Sequence, residues 1–185
     1  MIYFYPPKEE KISVRLEYAG DIVVSYPPYN PVLQGWNIKA FPDGKVINLA
    51  DNQEYSYIFW EGKGKKSYDM SEGFVVEGSK TEQFLKEALR SMGFTPREYN
   101  EFIVYWYPRL MVNKYNLIHF AQTEYAQIAQ MNITPKPDSL LRVLMVYQPL
   151  TQPMAVKPQV FKPFKRQGFT VVEWGGTEVT DNTLN

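Results

Sequence analysis

Two segments of the sequence carry a glutamate beside a tryptophan with a glycine close behind, and they hold the best candidates for chemistry. They are Phe59-Trp60-Glu61-Gly62 and Val172-Glu173-Trp174-Gly175. A glycoside hydrolase uses two carboxyl groups, because one protonates the leaving oxygen while the other attacks or activates water. If the two segments end at one edge of a sheet, Glu61 and Glu173 form such a pair beside two indoles. This is the hydrolase hypothesis.

The same four residues also have a structural interpretation, which we favour. Trp60 and Trp174 are then core side chains, and Glu61 and Glu173 each pair with a lysine or arginine at a strand end. Spacing in the sequence does not set the distance between the two carboxylates, so the pattern alone does not select catalysis.

Other polar residues also favour structural roles. His119 alternates with apolar neighbours in a predicted strand and stands in no recognisable motif with Ser or Asp, so we expect a backbone carbonyl to satisfy it. The basic loop Gly62–Lys66 lacks the helix that must follow a phosphate-binding loop directly. Glu101 is expected to form helix-surface ion pairs with Arg97 and Arg109.

Composition excludes several classes of site. The chain of 185 residues has no cysteine and one histidine, which excludes disulfides, thiolate zinc sites and thiol nucleophiles. We find no cofactor motif and expect neither cofactor nor metal. Twenty basic residues balance twenty acidic ones, which argues against a general affinity for nucleic acid.

The sequence predicts no membrane span, because its apolar runs fall far below the roughly 20 residues that a membrane helix needs. The segment Met1–Pro7 is too short for a signal peptide and lacks basic residues. We therefore expect a soluble chain. Its compartment and oligomeric state stay open.

Tyrosine and proline are the unusual part of the composition, with 14 of each. The Tyr-Pro elements Tyr3–Pro7 and Tyr26–Tyr29 are able to dock in a partner's groove as polyproline II, or to wrap around this protein's own surface. Both interpretations remain open. The binding candidates are therefore Tyr26, Tyr29, Trp60, Glu61, Glu173 and Trp174.

The elements that position these residues begin with a β-rich half. Residues 12–18 and 22–26 alternate around Gly20-Asp21 and predict a first hairpin, and Pro42-Asp43-Gly44 predicts a second. Apolar side chains on both faces of Tyr55–Gly62 predict a strand at the centre of a sheet. Residues 12–62 are thus predicted to form a five-stranded antiparallel meander or one half of a sandwich.

Two consecutive helices are predicted next, over residues 79–92 and 95–108. Ser79 with Glu82 fits a capping box, and Thr95 with Pro96 and Glu98 fits a second helix start. Pro108 is expected to kink or end the second helix. The rest of the chain is predicted as strands at 115–120, 140–149 and 169–174, a helical turn at 124–130, an extended proline-rich arm at 150–167 and a frayed tail at 177–185.

We therefore predict one α+β domain over residues 1–185, an antiparallel β-sandwich or twisted sheet covered on one side by the two helices. It consists of an N-terminal arm (1–11), the β meander (12–62), the helical pair (79–108) and strands with the proline-rich arm (115–176).

Five segments spread over nearly the whole chain resemble the landmarks of an uncharacterised family of predicted proteins, mostly bacterial and often exported. They are Ile2–Pro6, Tyr55–Gly62, Glu101–Leu110, Arg142–Pro149 and Gly168–Gly176. The resemblance implies no reaction, cofactor or catalytic residue. In bacterial members the opening resembles a Pro-Val-Ile-Tyr-Leu-Tyr-Pro segment, often behind an export signal, whereas here Met1 directly precedes the matching segment.

We expect a non-catalytic binding or structural module that contacts another protein or a glycan through Tyr/Pro-rich surfaces. One form of this hypothesis is a cell-envelope or virion assembly component, whose arms at 1–11 and 150–167 become ordered only against neighbouring molecules. The alternative is a carbohydrate-active hydrolase that uses Glu61 and Glu173.

Overall fold

A computed structural model describes residues 1–64 and 67–179. Its strands are β1 (Ile2–Tyr5), β2 (Glu10–Tyr18), β3 (Asp21–Tyr26), β4 (Gly35–Ala40), β5 (Val46–Asn48), β6 (Glu54–Tyr55), β7 (Phe59–Lys63), β8 (Phe74–Glu77), β9 (Tyr115–Ala121), β10 (Ala129–Thr134), β11 (Ser139–Leu150) and β12 (Thr170–Glu178). Its helices are α1 (Thr81–Ser91), α2 (Pro96–Leu110) and α3 (Thr123–Ile128), with a 3₁₀ turn over Gly78–Lys80. The fold is α+β with antiparallel sheets, which confirms the predicted class.

The chain divides into two compact units, each assembled from segments that are distant in sequence. Unit 1 comprises Met1–Lys65, Thr123–Arg142 and Arg166–Glu173, and unit 2 comprises Lys66–Gln122, Val143–Lys165 and Trp174–Asn185. Strands β11 and β12 each begin in unit 1 and continue along the chain into unit 2.

Unit 1 is built on a sheet with the strand order β10-β2-β4-β5-β6. Alternation in β2 buries Ile12, Val14 and Leu16, as expected for a strand with one face on a core. The predicted hairpin between β4 and β5 is confirmed, with Gly44 at a φ of 86° and its N–H donating to the Phe41 carbonyl. That backbone conformation favours glycine over other residues.

Two predictions for this half of the chain are wrong. Strands β2 and β3 do not form a hairpin, since β2 pairs with β4 and β10 while β3 pairs with β7. Residues 55–62 do not form one central strand but are divided between β6 and β7. The division is at Ile58, which is fully buried and exchanges two backbone hydrogen bonds with Ile2.

The N-terminal segment is a core strand and not the arm that we expected over residues 1–11. In unit 1, β1 pairs with β12 from Ile2 opposite Glu173 to Tyr5 opposite Thr170. Ile2 and Phe4 have no exposed surface. Burial of apolar side chains and pairing of their backbone together order this segment within the chain itself.

Unit 2 contains β8, β9 and the later parts of β11 and β12, strands of a five-stranded sheet with the order β1-β12-β11-β9-β8. Helices α1 and α2 pack on the unit 2 strands. Ring contacts make the connection between helices and strands. The ring centres of Phe84 in α1 and Phe74 lie 5.2 Å apart, and those of Phe102 in α2 and Trp174 lie 5.1 Å apart. The prediction that two helices cover a sheet is confirmed.

The two helices begin differently. At α2, Thr95 is the N-cap, as predicted, and it forms a capping box with Glu98, in which the Thr95 N–H donates to the Glu98 carboxylate at 2.8 Å. The predicted box at Ser79 is wrong, because Ser79 lies in the 3₁₀ turn and α1 begins at Thr81.

Pro108 does not end α2, which continues to Leu110. A proline leaves the carbonyl four residues earlier without its helical donor, and here that residue is Val104, which is 77% exposed. On the solvent side of a helix, water can take the place of such a donor.

The proline-rich arm has no regular secondary structure beyond residue 150, as predicted, but it packs on its own chain. In unit 2, the Gln159 side chain forms hydrogen bonds with both the backbone N–H and the backbone carbonyl of Phe120. The ring centres of Phe161 and Phe74 lie 5.7 Å apart. The arm is thus ordered without a neighbouring molecule. Part of the predicted tail, residues 180–185, lies outside the described residues, as do Lys65 and Lys66 of the basic loop.

Candidate functional site

The Glu173 carboxylate is the centre of a buried polar network in unit 1. Glu173 has no exposed surface. Its Oε1 accepts from the Trp60 indole at 2.9 Å and the Tyr125 hydroxyl at 2.8 Å, and its Oε2 accepts from Arg142 Nε at 2.6 Å. Strands β7, β11 and β12 and helix α3 each supply one side chain, so one carboxylate links four elements.

The charges in this network are matched. Burial acts to raise the pKa of Glu173, but the charges of Arg142 and of the N-terminal amino group, with the hydrogen bonds from Trp60 and Arg142, hold it below its ordinary value. Burial and the nearby carboxylate raise the pKa of Tyr125 well above its ordinary value. At neutral pH the network therefore consists of a carboxylate, a guanidinium and a neutral phenol.

Arg142 is also fixed from its other side. Its Nη1 donates to the Ala129 carbonyl at 2.7 Å, and its guanidinium lies 4.9 Å from the Tyr125 ring centre. Its Nη2 is buried without a hydrogen-bond partner among the described residues. The ion pair is therefore held in one geometry, which suits a structural role.

Glu61 is in the opposite environment from Glu173. Successive side chains of a strand point to opposite faces, and Glu61 follows Trp60 in β7 and is exposed. The structure thus brings Trp60 and Glu173 together and places Glu61 on the far face of the strand. A hydrolase pair requires both carboxyl groups to border a space that is open to substrate. The buried Glu173 carboxyl group borders no such space.

Trp174 and Tyr29 take part in packing. Trp174 belongs to unit 2, is 3% exposed and contacts Phe102. In unit 1, the Tyr29 hydroxyl donates to the Leu16 carbonyl at 3.2 Å and its ring lies 5.2 Å from Trp36. Trp174 is therefore a core side chain, and Tyr29 is half-buried with its hydroxyl bonded to its own chain.

Strands β3 and β7 form a two-stranded ribbon, which the Glu173 network holds in place. The Trp60 ring, which donates to Glu173, also packs edge-on against Tyr18 at 5.2 Å. A Cβ atom at Gly62 would overlap the Tyr18 ring, so glycine permits this close approach. An isolated two-stranded ribbon is marginal in water, and these inner contacts stabilise it.

The outer face of the ribbon is apolar and exposed. Val23, Val24 and Tyr26 of β3 are 53%, 47% and 61% exposed. We call these three residues, with the exposed Glu61 that is register partner to Val24, the ribbon face. The β-bulge between Ile22 and Val24 explains why two successive valines are exposed, since a bulge redirects side chains.

Tyr26 is held in place by an aromatic neighbour. Its ring packs edge-on against Tyr55 at 4.8 Å. The Tyr55 hydroxyl donates to the Asp51 carboxylate at 2.8 Å, a bond that raises the pKa of Tyr55 to about 12. The aromatic end of the ribbon face is therefore ordered, although it is exposed.

Part of this site could be predicted from the sequence. Tyr26, Trp60, Glu61 and Glu173 were among the predicted binding residues, whereas Val23 and Val24 were not, because we interpreted residues 22–26 as an alternating hairpin strand. The signal that identifies the two valines is the unbroken apolar run Ile22-Val23-Val24. An alternating strand with one solvent-exposed face does not contain such a run.

His119 and the acidic residues offer no metal site in the part of the chain that the structure describes. No group of three or more His, Asp or Glu side chains is arranged to hold an ion there. His119 Nδ1 lies 2.8 Å from the Glu72 carbonyl, which confirms the predicted backbone partner. None of the described helices is long and apolar enough to cross a membrane.

No protein-family model matches this chain, and comparisons with curated proteins and with solved structures gave no match.

Proposed function

We propose that this protein is a non-catalytic binding module, and that its ribbon face takes an extended apolar segment of another protein. The observation that carries the proposal is the exposed apolar strand β3, which pairs on one side only among the described residues. Large apolar side chains on an exposed edge strand favour aggregation unless a partner covers them.

Backbone pairing supplies the first part of the binding energy. Strand β3 is six residues long and its outer edge carries unpaired N–H and C=O groups in the described structure. A partner segment of similar length adds there as a further strand, the binding mode known as β-augmentation. Many exposed edges are protected by lysine or proline within the strand, and β3 contains neither.

Side chains supply the selectivity. Val24 and Tyr26 lie two residues apart and share one face with Glu61. A partner with apolar residues at alternate positions places them on that face. The exposed Glu61 carboxylate favours a lysine or arginine opposite it and disfavours an acidic segment.

The anchored inner face lowers the cost of binding. Trp60 and Gly62 fix the ribbon against the interior of unit 1, and Tyr55 fixes Tyr26. Side chains that are already ordered lose less conformational entropy when a partner binds. Wider roles such as cell-envelope or virion assembly are compatible with this proposal, and the family resemblance adds no activity to it.

The test is selection from a random peptide library, with Val24→Lys and Tyr26→Ser as ribbon variants. We expect selected peptides to alternate apolar residues and to lose about tenfold or more in affinity for each variant. Val160→Lys is the matched control, because Val160 is 92% exposed and lies in unit 2.

A second readout distinguishes pairing from general adhesion. Bound peptide should slow amide hydrogen exchange in Asp21–Tyr26 and leave that of α2 unchanged. Peptides that bind all variants equally would overturn the proposal. Binding to a glycan array that is lost in Tyr26→Ser, with no peptide selected, would replace the protein partner by a glycan.

A further inference from the structure

The proline-rich arm in unit 2 has an inner side that is fixed on its own chain. The ring centre of Phe161 lies 5.7 Å from that of Phe74 in β8 and 5.5 Å from that of Phe120 in β9. Phe164 packs on Gly93, just beyond α1, where an added Cβ atom would lie 3.0 Å from the Phe164 Cβ. These contacts order the arm and decide which of its side chains face solvent.

The outer side of the arm combines apolar surface with positive charge. Val160 is 92% exposed, more than any other large apolar side chain among the described residues. Lys162 and Lys165 are exposed as well, and neither has an ion-pair or hydrogen-bond partner in the described part of the chain. We call Val160, Lys162 and Lys165 the arm face.

Positive charge is not balanced in this part of the sequence. Residues 151–172 include four basic residues and no acidic one, although the whole chain carries equal numbers of both. Lys157 is neutralised by its ion pair with Glu72, so the free charge lies on the two lysines of the arm face. Arg90 is exposed in the last turn of α1, three residues before Gly93, and adds a cation at the end of the helix on which the arm packs.

We propose that the arm face binds the surface of an anionic lipid bilayer. The two ammonium groups reach lipid phosphates, because lysine side chains lay their stems along apolar surface and keep their charge at the polar interface. Val160 enters the boundary between headgroups and acyl chains, where removal of its apolar surface from water is favourable. The contact is peripheral and needs no spanning segment.

The orientation of the aromatic rings favours a bilayer over a nucleic acid. Proteins that bind single strands combine basic side chains with aromatic rings on which the bases stack. In the arm, Phe161 and Phe164 face inward, and the solvent-facing side chain beside the lysines is the aliphatic Val160. An exposed valine gains from an apolar environment and forms no hydrogen bond with a phosphate.

The binding should be weak and sensitive to salt. Each basic side chain near an anionic membrane strengthens binding about fivefold, and salt of about 0.1 M screens the attraction beyond about 10 Å. The apolar contribution of one valine is small. We therefore expect binding at low ionic strength to vesicles rich in anionic lipid, and release at about 0.5 M salt.

Vesicle cosedimentation of the full chain tests the proposal. We expect binding to vesicles of equal parts phosphatidylcholine and phosphatidylserine, and none to phosphatidylcholine alone. The double variant of Lys162→Gln with Lys165→Gln should lose about tenfold or more in affinity. Lys8→Gln with Lys136→Gln is the matched control, because these two lysines are also exposed, lie in unit 1 and remove the same charge.

Two results of this experiment would overturn the proposal. One is no binding to the anionic vesicles at low salt, and the other is an equal loss of affinity in the control variant. The ribbon variant Tyr26→Ser should bind vesicles as the wild type does, so this inference and the proposed function fail independently of each other.

A fluorescent probe tests whether Val160 enters the bilayer. The chain has no cysteine, so Val160→Cys accepts one environment-sensitive dye. We expect its emission to shift to the blue on anionic vesicles, and no shift from the same dye at Val32→Cys, which replaces a valine that is 91% exposed in unit 1. Vesicle binding without a shift at Val160 would overturn the bilayer contact. Binding to heparin that the lysine double variant loses would then identify a soluble polyanion as the ligand.

Discussion

Glu61 and Glu173 have similar sequence surroundings, an adjacent tryptophan and a nearby glycine, yet their carboxylates occupy opposite environments. In β7 only the face that carries Trp60 is turned inward, so Glu61 is exposed. In β12 residues Thr170–Trp174 are buried on both faces, so Glu173 and its neighbouring tryptophan are both inside. Local sequence does not say whether one or both faces of a strand are covered, and the two glutamates therefore looked equivalent.

Removing one partner of the buried ion pair should be costly. Arg142→Met leaves the Glu173 charge buried without its cation, and we expect it to lower the free energy of unfolding by about 3–5 kcal/mol. Arg142→Met combined with Glu173→Leu removes both charges and should be more stable than Arg142→Met alone. Urea unfolding at pH 7 measures both.

A surface pair provides the control for this comparison. Lys39 and Glu9 form an ion pair at 3.1 Å with partly exposed side chains, and Lys39→Met should cost at most about 1 kcal/mol. If Arg142→Met lowers the free energy of unfolding no more than Lys39→Met does, the network does not anchor the ribbon. The proposal that the ribbon is held rigid for binding would then be wrong.

Among the elements, those with a complete local signal were predicted correctly. The turn at Pro42-Asp43-Gly44 and the start of α2 at Thr95 depend on residues within a few positions of each other, and both are present. The hairpin of β2 with β3 failed because alternation identifies a strand but not its partner. The partner of β3 is β7, which lies more than thirty residues away in the sequence.

The two helix starts make a matched prediction. Thr95→Ala removes the side chain that accepts a backbone N–H of the first turn of α2, and it should lower stability by about 1 kcal/mol. Ser79→Ala should change stability by less than about 0.5 kcal/mol, because Ser79 does not cap α1. Thermal and urea unfolding of both variants measure these changes in stability. Equal losses of stability in the two variants would contradict the assigned helix starts.

For the whole molecule, composition and periodicity were sufficient for the α+β class and for two helices on a sheet. They were not sufficient for the two compact units, since each unit collects segments from three parts of the chain. Strands β11 and β12 contribute to both units, and no boundary in composition marks the change. The candidate site is distributed in the same way, with β3, β7 and the Glu173 network drawn from distant segments.

Acid should weaken the folded state through Glu173, and the sign follows from its pKa. In the folded chain the pKa of Glu173 lies below its ordinary value of 4.5, so the unfolded chain binds the proton first. The stabilisation is complete above about pH 5 and is lost as the pH falls through the folded pKa.

The variant that combines Arg142→Met with Glu173→Leu isolates this contribution. Asp51 and Asp69 also have lowered pKa values, and both remain in the variant. The stability that the variant itself loses in acid therefore measures the contribution of all other titrating groups. Urea unfolding of both proteins between pH 7 and pH 3 should give a stability difference that changes mainly below pH 5, with the wild type losing more. Parallel curves would show that the buried carboxylate has the same proton affinity in both states, so that its partners only offset the cost of burial and do not lower the pKa of Glu173 below its ordinary value.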